Sequence, residues 1–243
     1  MQYVKSFSSY DALSQDASDK LIACIENKSD AVICLATGAT PLLTYQFLAE
    51  KVYQRKTDIS KVTFVKLDEW VGLPLHAPGT CEHFLQQHVM KPLGLREEQL
   101  IGFRSEGIDE AECLRVTGQI AQRGGLDLCI LGLGKNGHLG LNEPSAALEP
   151  FCHIGKLDEK TQGHDMLKTA GVPVEYGITL GLQDILRAKE VLLLIAGEGK
   201  QAATDAFMTK KVSNLTPASF LWLHDNLTCL LDTSSCQVRG NSF

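Results

Sequence analysis

LGLGKNGHLGLNEP, the stretch from Leu131 to Pro144, decides the fold because it places glycines, a histidine and a carboxylate directly after an apolar run. The run from Leu126 to Leu133 is almost wholly apolar, which is typical of a strand buried on both faces of a parallel sheet. The glycines then allow the backbone to turn tightly. We therefore expect His138 and Glu143 to emerge at the carboxyl edge of the sheet, where open α/β folds bind their ligands.

Further apolar runs alternate with helical patterns along the chain. The predicted strands are Ala31–Ala36, Val62–Leu67 and Glu190–Ala196, with the short runs Ser219–Leu223 and Leu227–Leu231 completing the sheet. The predicted helices contain the stripe Leu13, Ala17, Leu21 and Ile25, the segment Leu42 to Tyr53, and the segment Lys200 to Phe207. This alternation predicts an α/β fold with a doubly wound, mainly parallel sheet, Rossmann-like and three-layered (α/β/α), whose first strand begins near Ala31.

Size and composition exclude several classes of protein. A chain of 243 residues with 44% apolar content favours a single domain spanning residues 1–243. No apolar run is long enough to span a membrane, and the first residues lack a secretory signal, so we expect no membrane partner and a cytoplasmic location. Acidic residues (29) outnumber basic ones (23) without a basic block, which argues against nucleic acid as a partner.

The eight cysteines form no CxxC pair and are expected to be reduced. The polar tail after Asp232 is expected to fray, and the oligomeric state stays open.

Chemically useful groups follow four of the predicted strands. They are the small-residue turn Thr37, Gly38, Ala39 and Thr40, the carboxylate of Asp68, the pair His138 and Glu143, and the ammonium of Lys200. Because the carboxyl ends of parallel strands meet at one edge of a sheet, we expect these groups to surround one site.

These groups predict metal-independent proton transfer on an anionic small molecule. The turn at 37–40 and Lys200 could bind the anion through backbone N–H groups and a cation, although a plain helix cap and a solvated lysine are the alternatives. Asp68 could act as a base and His138 could move protons near neutral pH, whereas Glu69 and Glu143 could equally form salt bridges or be solvated. His83 and His88 are wrongly spaced for one helix face, so no metal and no cofactor are expected.

Five segments together resemble one enzyme superfamily. They are LATGATP at Leu35–Pro41, LDEWVGLP at Leu67–Pro74, LGLGKNGHLGLNEP, GITLGL at Gly177–Leu182 and GEGK at Gly197–Lys200. The chain resembles the glucosamine-6-phosphate deaminase and 6-phosphogluconolactonase superfamily from about Ala31 to Asp232. It is more similar to the deaminases, since lactonases usually show DER and ASLFP where this chain has DEW and LGLNEP. PGTCEHFLQQH at Pro78–His88 is most similar to the galactosamine-6-phosphate isomerase group.

The resemblance implies a role for each candidate residue. Asp68 would carry a proton from carbon 2 to carbon 1 of an open-chain amino sugar phosphate. His138, supported by Glu143, would open the sugar ring. The phosphate would be held by Thr37, Gly38, Ala39, Thr40 and Lys200. The implied products are ammonia and a ketose 6-phosphate, which is tagatose 6-phosphate when the substrate is galactosamine 6-phosphate.

Three positions depart from the pattern of the superfamily. Asn136 stands where many deaminases have an aspartate beside the catalytic histidine, and an amide can orient an imidazole but cannot balance its charge. Gln162 lies near the position of a phosphate-binding arginine, which leaves Lys200 with more of that task. The segment Ser145–Gly155 lacks the cationic residues of allosteric hexamers, so allosteric activation is not expected.

Other functions stay open at this point. The same reaction on glucosamine 6-phosphate would give fructose 6-phosphate, and the two substrates differ only at carbon 4. A non-catalytic sugar-phosphate sensor would normally carry a DNA-binding segment before this fold, whereas a first strand near Ala31 leaves room for one helix. Hydrolysis of 6-phosphogluconolactone is the remaining alternative.

Overall fold

The computed structural model describes residues 2–237, where seven parallel strands form the central sheet. In spatial order they are β1 (Tyr3–Phe7), β10 (Leu227–Asp232), β9 (Glu190–Ile195), β6 (Leu128–Gly132), β2 (Val32–Leu35), β3 (Thr63–Lys66) and β5 (Leu100–Ile101). Each pair of neighbours runs parallel, in register along the ladder. The predicted doubly wound, mainly parallel sheet is therefore confirmed.

Helices cover both faces of this sheet. They are α1 (Tyr10–Asn27), α2 (Ala39–Arg55), α3 (Cys81–Leu85), α4 (Lys91–Leu93), α5 (Glu110–Gln122), α6 (Glu159–Gln162), α7 (Asp165–Ala170), α8 (Leu182–Leu186) and α9 (Gln201–Met208), with a π-helical turn at Gln86–Met90 and 3-10 helices at Glu97–Gln99 and Pro217–Leu223. Side chains alternate along β2, so that Ile33 belongs to the apolar cluster that includes residues of α1 and α2, whereas Cys34 belongs to the cluster that includes residues of α5, α8 and α9. Three layers result, as predicted. None of the helices between residues 2 and 237 is both long and apolar enough to cross a membrane.

A small antiparallel sheet stands at the carboxyl edge of the large one. Its strands, in order, are β4 (Asp68–Trp70), β8 (Tyr176–Thr179) and β7 (His153–Lys156). Leu67 joins the two sheets, because its N–H donates to Leu35 O (3.2 Å) and its carbonyl accepts from Leu180 N (3.0 Å). Asp68, at the start of β4, therefore lies where the sheets meet.

Two parts of the predicted sheet are wrong. The run Ser219–Leu223 belongs to the 3-10 helix Pro217–Leu223, because Pro217 lacks the N–H that a central strand needs and its ring favours the start of a helix. The first strand is β1 rather than a strand near Ala31, and it pairs with β10 at the edge of the sheet. In addition, α2 begins at Ala39 instead of Leu42, directly after Gly38.

The described residues also show the state of the cysteines and the structure of the chain just after β10. All eight cysteines lie in this part of the chain and are free thiols, as expected. The predicted fraying after Asp232 is wrong for the first residues, because Thr233 N donates to Phe7 O (2.8 Å) and Cys236 is buried. The rest of that tail, residues 238–243, lies outside the described residues.

Candidate active site

The carboxyl ends of β2, β3, β6 and β9 surround a cleft of about 610 Å³, a size suited to a small metabolite. The predicted site residues that line it are Thr37, Gly38, Ala39, Thr40, Asp68, Asn136, His138 and Lys200. Glu143 lies directly behind His138, in contact with its ring. The structure thus brings together every side chain that the sequence placed in the site, from four separate strand ends.

One end of the cleft is built to receive an anion. Gly38 precedes α2 with a φ of +96°, and no described side chain caps the first N–H groups of this helix. Lys200 is only 9% exposed, and its Nζ donates to Thr40 Oγ1 (2.7 Å). Burial, with a further contribution from Lys135, lowers the pKa of Lys200 to about 8. A bound anion would reverse this effect by stabilising the ammonium form.

Asp68 is a buried carboxylate at the centre of the cleft. It is 7% exposed, and burial together with the nearby Glu69 carboxylate raises the pKa of Asp68 to about 6. The Cys81 thiol donates to Asp68 Oδ1 (3.5 Å) and itself accepts from Thr37 Oγ1 (3.3 Å). A carboxylate with a pKa near 6 is ionised at neutral pH yet basic enough to accept a proton from carbon.

His138 is held by a carboxylate on one side of its ring. Its Nδ1 lies 3.3 Å from Glu143 Oε2 and 3.3 Å from Thr161 Oγ1, which leaves Nε2 as the ring nitrogen for exchange with a ligand. Burial raises the pKa of Glu143, but the hydrogen bonds from His138, Thr161 and Asn136 outweigh it and lower the pKa. The charged carboxylate therefore fixes the orientation of the imidazole, with Nδ1 toward Glu143 and Nε2 toward the cleft.

Asn136 hydrogen-bonds to Glu143 and to the backbone of His138, and not to the imidazole. Its Nδ2 donates to Glu143 Oε2 (2.9 Å), and its Oδ1 accepts from the backbone N of His138 (3.2 Å). The amide thus holds both the carboxylate and the backbone of the turn. An aspartate here could not donate to Glu143, so the asparagine suits this hydrogen-bond pattern.

The imidazole of His138 occupies the space beside Gly134. A Cβ at Gly134 would lie 2.2 Å from Cδ2 and 2.4 Å from Nε2 of this ring. We therefore predict that Gly134→Ala displaces the imidazole and lowers kcat about 100-fold, since displacements near 1 Å can have effects of this size. Steady-state kinetics would measure it.

Gly118→Ala is the matched control, because Gly118 lies in α5 and a Cβ there, apart from its chain neighbours and the adjacent backbone of its own helix, meets no described atom within 4 Å. This variant should keep wild-type turnover. A Gly134→Ala enzyme with unchanged kcat and a normal circular dichroism spectrum would contradict the packing argument.

A buried ion network lies behind Asp68. The Lys66 ammonium lies 2.8 Å from Glu69 Oε2 and 2.8 Å from Glu82 Oε2, and both Lys66 and Glu69 are fully buried. Glu69 also accepts the backbone N–H groups of Trp70 and Cys81 at 2.9 Å. The network therefore fastens β4 to α3 and fixes the backbone that carries Asp68. Of the two alternatives for Glu69, the salt bridge is the one the structure shows.

Several polar residues that line the cleft were not assigned from the sequence. Lys135, Thr161 and His164 are among them. The Lys135 side chain passes within 3.5 Å of the point where a Cβ of Gly199 would lie, so it approaches the loop before Lys200. The sequence signal for Lys135 was its position in the glycine-rich turn, between Gly134 and Gly137. Gln162 is exposed instead, and its Nε2 donates to Leu157 O (3.1 Å) away from the cleft.

The described residues show no cluster that could hold a metal ion. Between residues 2 and 237, no group of three or more His, Cys, Asp or Glu side chains is arranged for coordination. The arrangement instead provides a base, an imidazole with its carboxylate, and a cationic end. Such groups can move protons on a small anion.

Comparisons with known proteins agree with this arrangement. The family model "Glucosamine-6-phosphate isomerases/6-phosphogluconolactonase" matches residues 6–229. The protein named "Putative deaminase AgaI" of Escherichia coli (strain K12) is 66% identical over 233 residues, which are 96% of this chain and 93% of that protein. A glucosamine-6-phosphate deaminase of Clostridium tetani (strain Massachusetts / E88) is 37% identical over 94% of this chain and 96% of its own length.

Solved structures give the same result for the fold. A monomeric glucosamine-6-phosphate deaminase superposes with a TM-score of 0.89 at 32% identity, covering 96% of this chain and 97% of the other. The 6-phosphogluconolactonase of Trypanosoma brucei shares the fold, with a TM-score of 0.74 at 19% identity and coverage of 96% and 97%. With nearly its whole length matched, the chain belongs to the family of glucosamine-6-phosphate isomerases and 6-phosphogluconolactonases.

Proposed function

We propose that this protein is an amino-sugar-phosphate isomerase and deaminase that converts galactosamine 6-phosphate and water to tagatose 6-phosphate and ammonia. The observation that carries the proposal is the position of Asp68, His138 and Lys200 around one cleft. This set provides a carbon base, a proton relay and an anion site in one space. The family relationship supports the same reaction type.

Ring opening is assigned to His138. Its Nε2 exchanges protons between the anomeric hydroxyl and the ring oxygen, so that the pyranose opens to the aldehyde. The Glu143 carboxylate at Nδ1 (3.3 Å) stabilises the imidazolium that forms on the way. Asn136 and Thr161 hold that carboxylate and ring in place.

Isomerisation is assigned to Asp68. Its carboxylate removes the proton from carbon 2, while the carbonyl oxygen at carbon 1 gains a proton from His138, which gives an enolamine. Asp68 then returns the proton to carbon 1, and carbon 2 becomes a ketimine. Water adds to carbon 2 and ammonia leaves, which completes the ketose. The carboxylate must reach two adjacent carbons, so the substrate has to be held in one orientation.

The phosphate is assigned to the anion end of the cleft. The N–H groups at the start of α2, the hydroxyls of Thr37 and Thr40, and the Lys200 ammonium converge there. Charge-assisted hydrogen bonds contribute roughly 1.5 to 3 kcal/mol each, so several of them outweigh the repulsion by the net charge of −6. Anchoring this end fixes carbons 1 and 2 near Asp68.

The choice of epimer is tested by measuring ammonia release from both amino sugar phosphates. Segments such as PGTCEHFLQQH favour the galacto sugar, so we expect kcat/KM for galactosamine 6-phosphate to exceed that for glucosamine 6-phosphate at least about tenfold, within the range that pocket contacts provide. The opposite preference would establish glucosamine-6-phosphate deaminase, the activity named for relatives at 37% and 32% identity. Tight sugar-phosphate binding without turnover would establish a sensor, and hydrolysis of 6-phosphogluconolactone alone would establish a lactonase.

A further inference from the structure

We propose that His164 binds the phosphate of the substrate through its Nε2–H, as a donor supplied by the segment from Asp158 to Ala170. The inference rests on the proposed function for the identity of the anion. It concerns a side chain outside the strand ends, in the turn between the short helices α6 and α7, whose residues line one side of the cleft.

The hydrogen bonding of His164 determines which ring nitrogen carries the proton. His164 precedes α7, and its Nδ1 accepts from Met166 N (3.3 Å). In the neutral ring the proton is therefore on Nε2. The Trp70 ring, with a centroid distance of 6.0 Å, packs beside the imidazole and limits its orientation.

The free edge of this ring faces the anion end. The atoms closest to the place where Gly38 would carry a Cβ are His164 Cε1 (3.7 Å) and Nε2 (3.8 Å). Gly38 is the residue before α2, and the first residues of this helix, Ala39 and Thr40, line the cleft. An anion bound to the N–H groups of these residues and to Lys200 would thus lie within reach of the His164 Nε2–H.

Burial and the charges around His164 keep its imidazole neutral in the free enzyme. Burial lowers the pKa of His164, the cationic forms of His138, Lys135 and Lys200 lower it further, and Asp165 opposes them. The free enzyme therefore holds a neutral imidazole near pH 7. A phosphate dianion at this point would accept the Nε2–H, while the Met166 N–H keeps Nδ1 as an acceptor, so the imidazole donates to the anion in its neutral form.

The position of His164 also accounts for the departure at Gln162. Gln162 ends α6 on the exposed side, so it cannot contact the anion from where it stands. The turn at Gly163 then carries the chain back toward the cleft, and His164 is the next residue to line it. Thr161, on the same short segment, contacts His138. This segment therefore touches both the proton relay and the anion end.

Inorganic phosphate is the probe for a direct test by isothermal titration calorimetry on the whole chain. His164→Phe keeps an aromatic ring against Trp70 but removes the donor, and we expect its Kd for phosphate to rise about 10- to 100-fold, as for other hydrogen bonds to charged groups. The KM for the amino sugar phosphate should rise with it, with a smaller change in kcat. His164→Gln keeps a donor of similar reach and should recover most of the affinity, which a loss of packing alone would not explain.

His153→Phe is the matched control, because His153 lies on β7 outside the cleft and its Nδ1 contacts Phe151 O. It should bind phosphate as wild type does. The inference is overturned if folded His164→Phe binds phosphate within about twofold of wild type, or if wild type binds no phosphate. Neither result depends on ammonia release, whereas failure of both amino sugar phosphates to react would overturn the proposed function alone.

Discussion

Asp68→Asn should lower the rate of ammonia release by about 100- to 10,000-fold, the range found when a general base is removed, while leaving KM nearly unchanged. The amide has the size of the carboxylate and can still pack beside Cys81 and Thr179, but it cannot take a proton from carbon 2. Exchange of the carbon 2 proton with deuterated solvent should be lost in parallel. Asp205→Asn is the control, since Asp205 lies on α9 and pairs with Gln201. An Asp68→Asn enzyme that keeps more than a tenth of wild-type turnover would show that the assigned base is wrong.

The pH profile gives the same assignment an independent test. Because burial and Glu69 raise the pKa of Asp68 to about 6, the free carboxylate is lost as the pH falls through that value. The acid limb of kcat/KM should therefore have an apparent pKa near 6 and fall tenfold per pH unit below it. A limb near the ordinary aspartate value of about 3.9 would contradict the structural account.

The second large effect concerns stability. Lys66→Met should lower the free energy of unfolding by about 3 to 5 kcal/mol, because it leaves buried carboxylates without their cation. Both Glu69 Oε2 and Glu82 Oε2 lie 2.8 Å from the Lys66 ammonium, whose side chain is fully buried. The two carboxylates raise the pKa of Lys66 although burial alone lowers it, so the charged form is held in the folded state. Urea unfolding, monitored by circular dichroism, would measure the change.

Lys189→Met is the matched comparison, because it removes an exposed lysine from an ion pair of the same length. Lys189 also lies 2.8 Å from a carboxylate, that of Asp127, but its side chain is 63% exposed. Removing this pair should change the free energy of unfolding by less than about 1 kcal/mol. Equal losses in the two variants would show that burial does not strengthen the Lys66 network.

The apolar pattern predicted the parts of the fold that place the site. Runs such as Leu126–Leu133 are buried on both faces, and any strand of that kind in an alternating α/β order presents its carboxyl end at one edge. This is why Asp68, His138 and Lys200 could be placed together before their contacts were known. The roles of these residues stay proposals.

Other features depend on contacts that a local pattern does not contain. β1 is an edge strand whose residues are partly exposed, so its sequence YVKSF lacks a continuous apolar run. The strands of the small sheet have only three or four residues each. In the sequence, Lys66 resembles an ordinary surface lysine. One of its two partners, Glu82, lies on α3, and the sequence does not show that this helix packs beside the end of β3. His164 has no neighbouring motif, since its place depends on how the segment from Asp158 folds over the cleft.

The hydrogen bonds of Leu67 limit how this enzyme can be redesigned. This residue is bound through its N–H to the large sheet and through its carbonyl to the chain just after β8, so the position of the Asp68 carboxylate that follows it depends on both sheets. Substitutions that loosen β7 or β8 should therefore reduce turnover even when they touch no ligand. Redesign of the cleft is better directed to positions of the short helices α6 and α7 other than Thr161 and His164, because such changes leave the backbone of Asp68 unaltered.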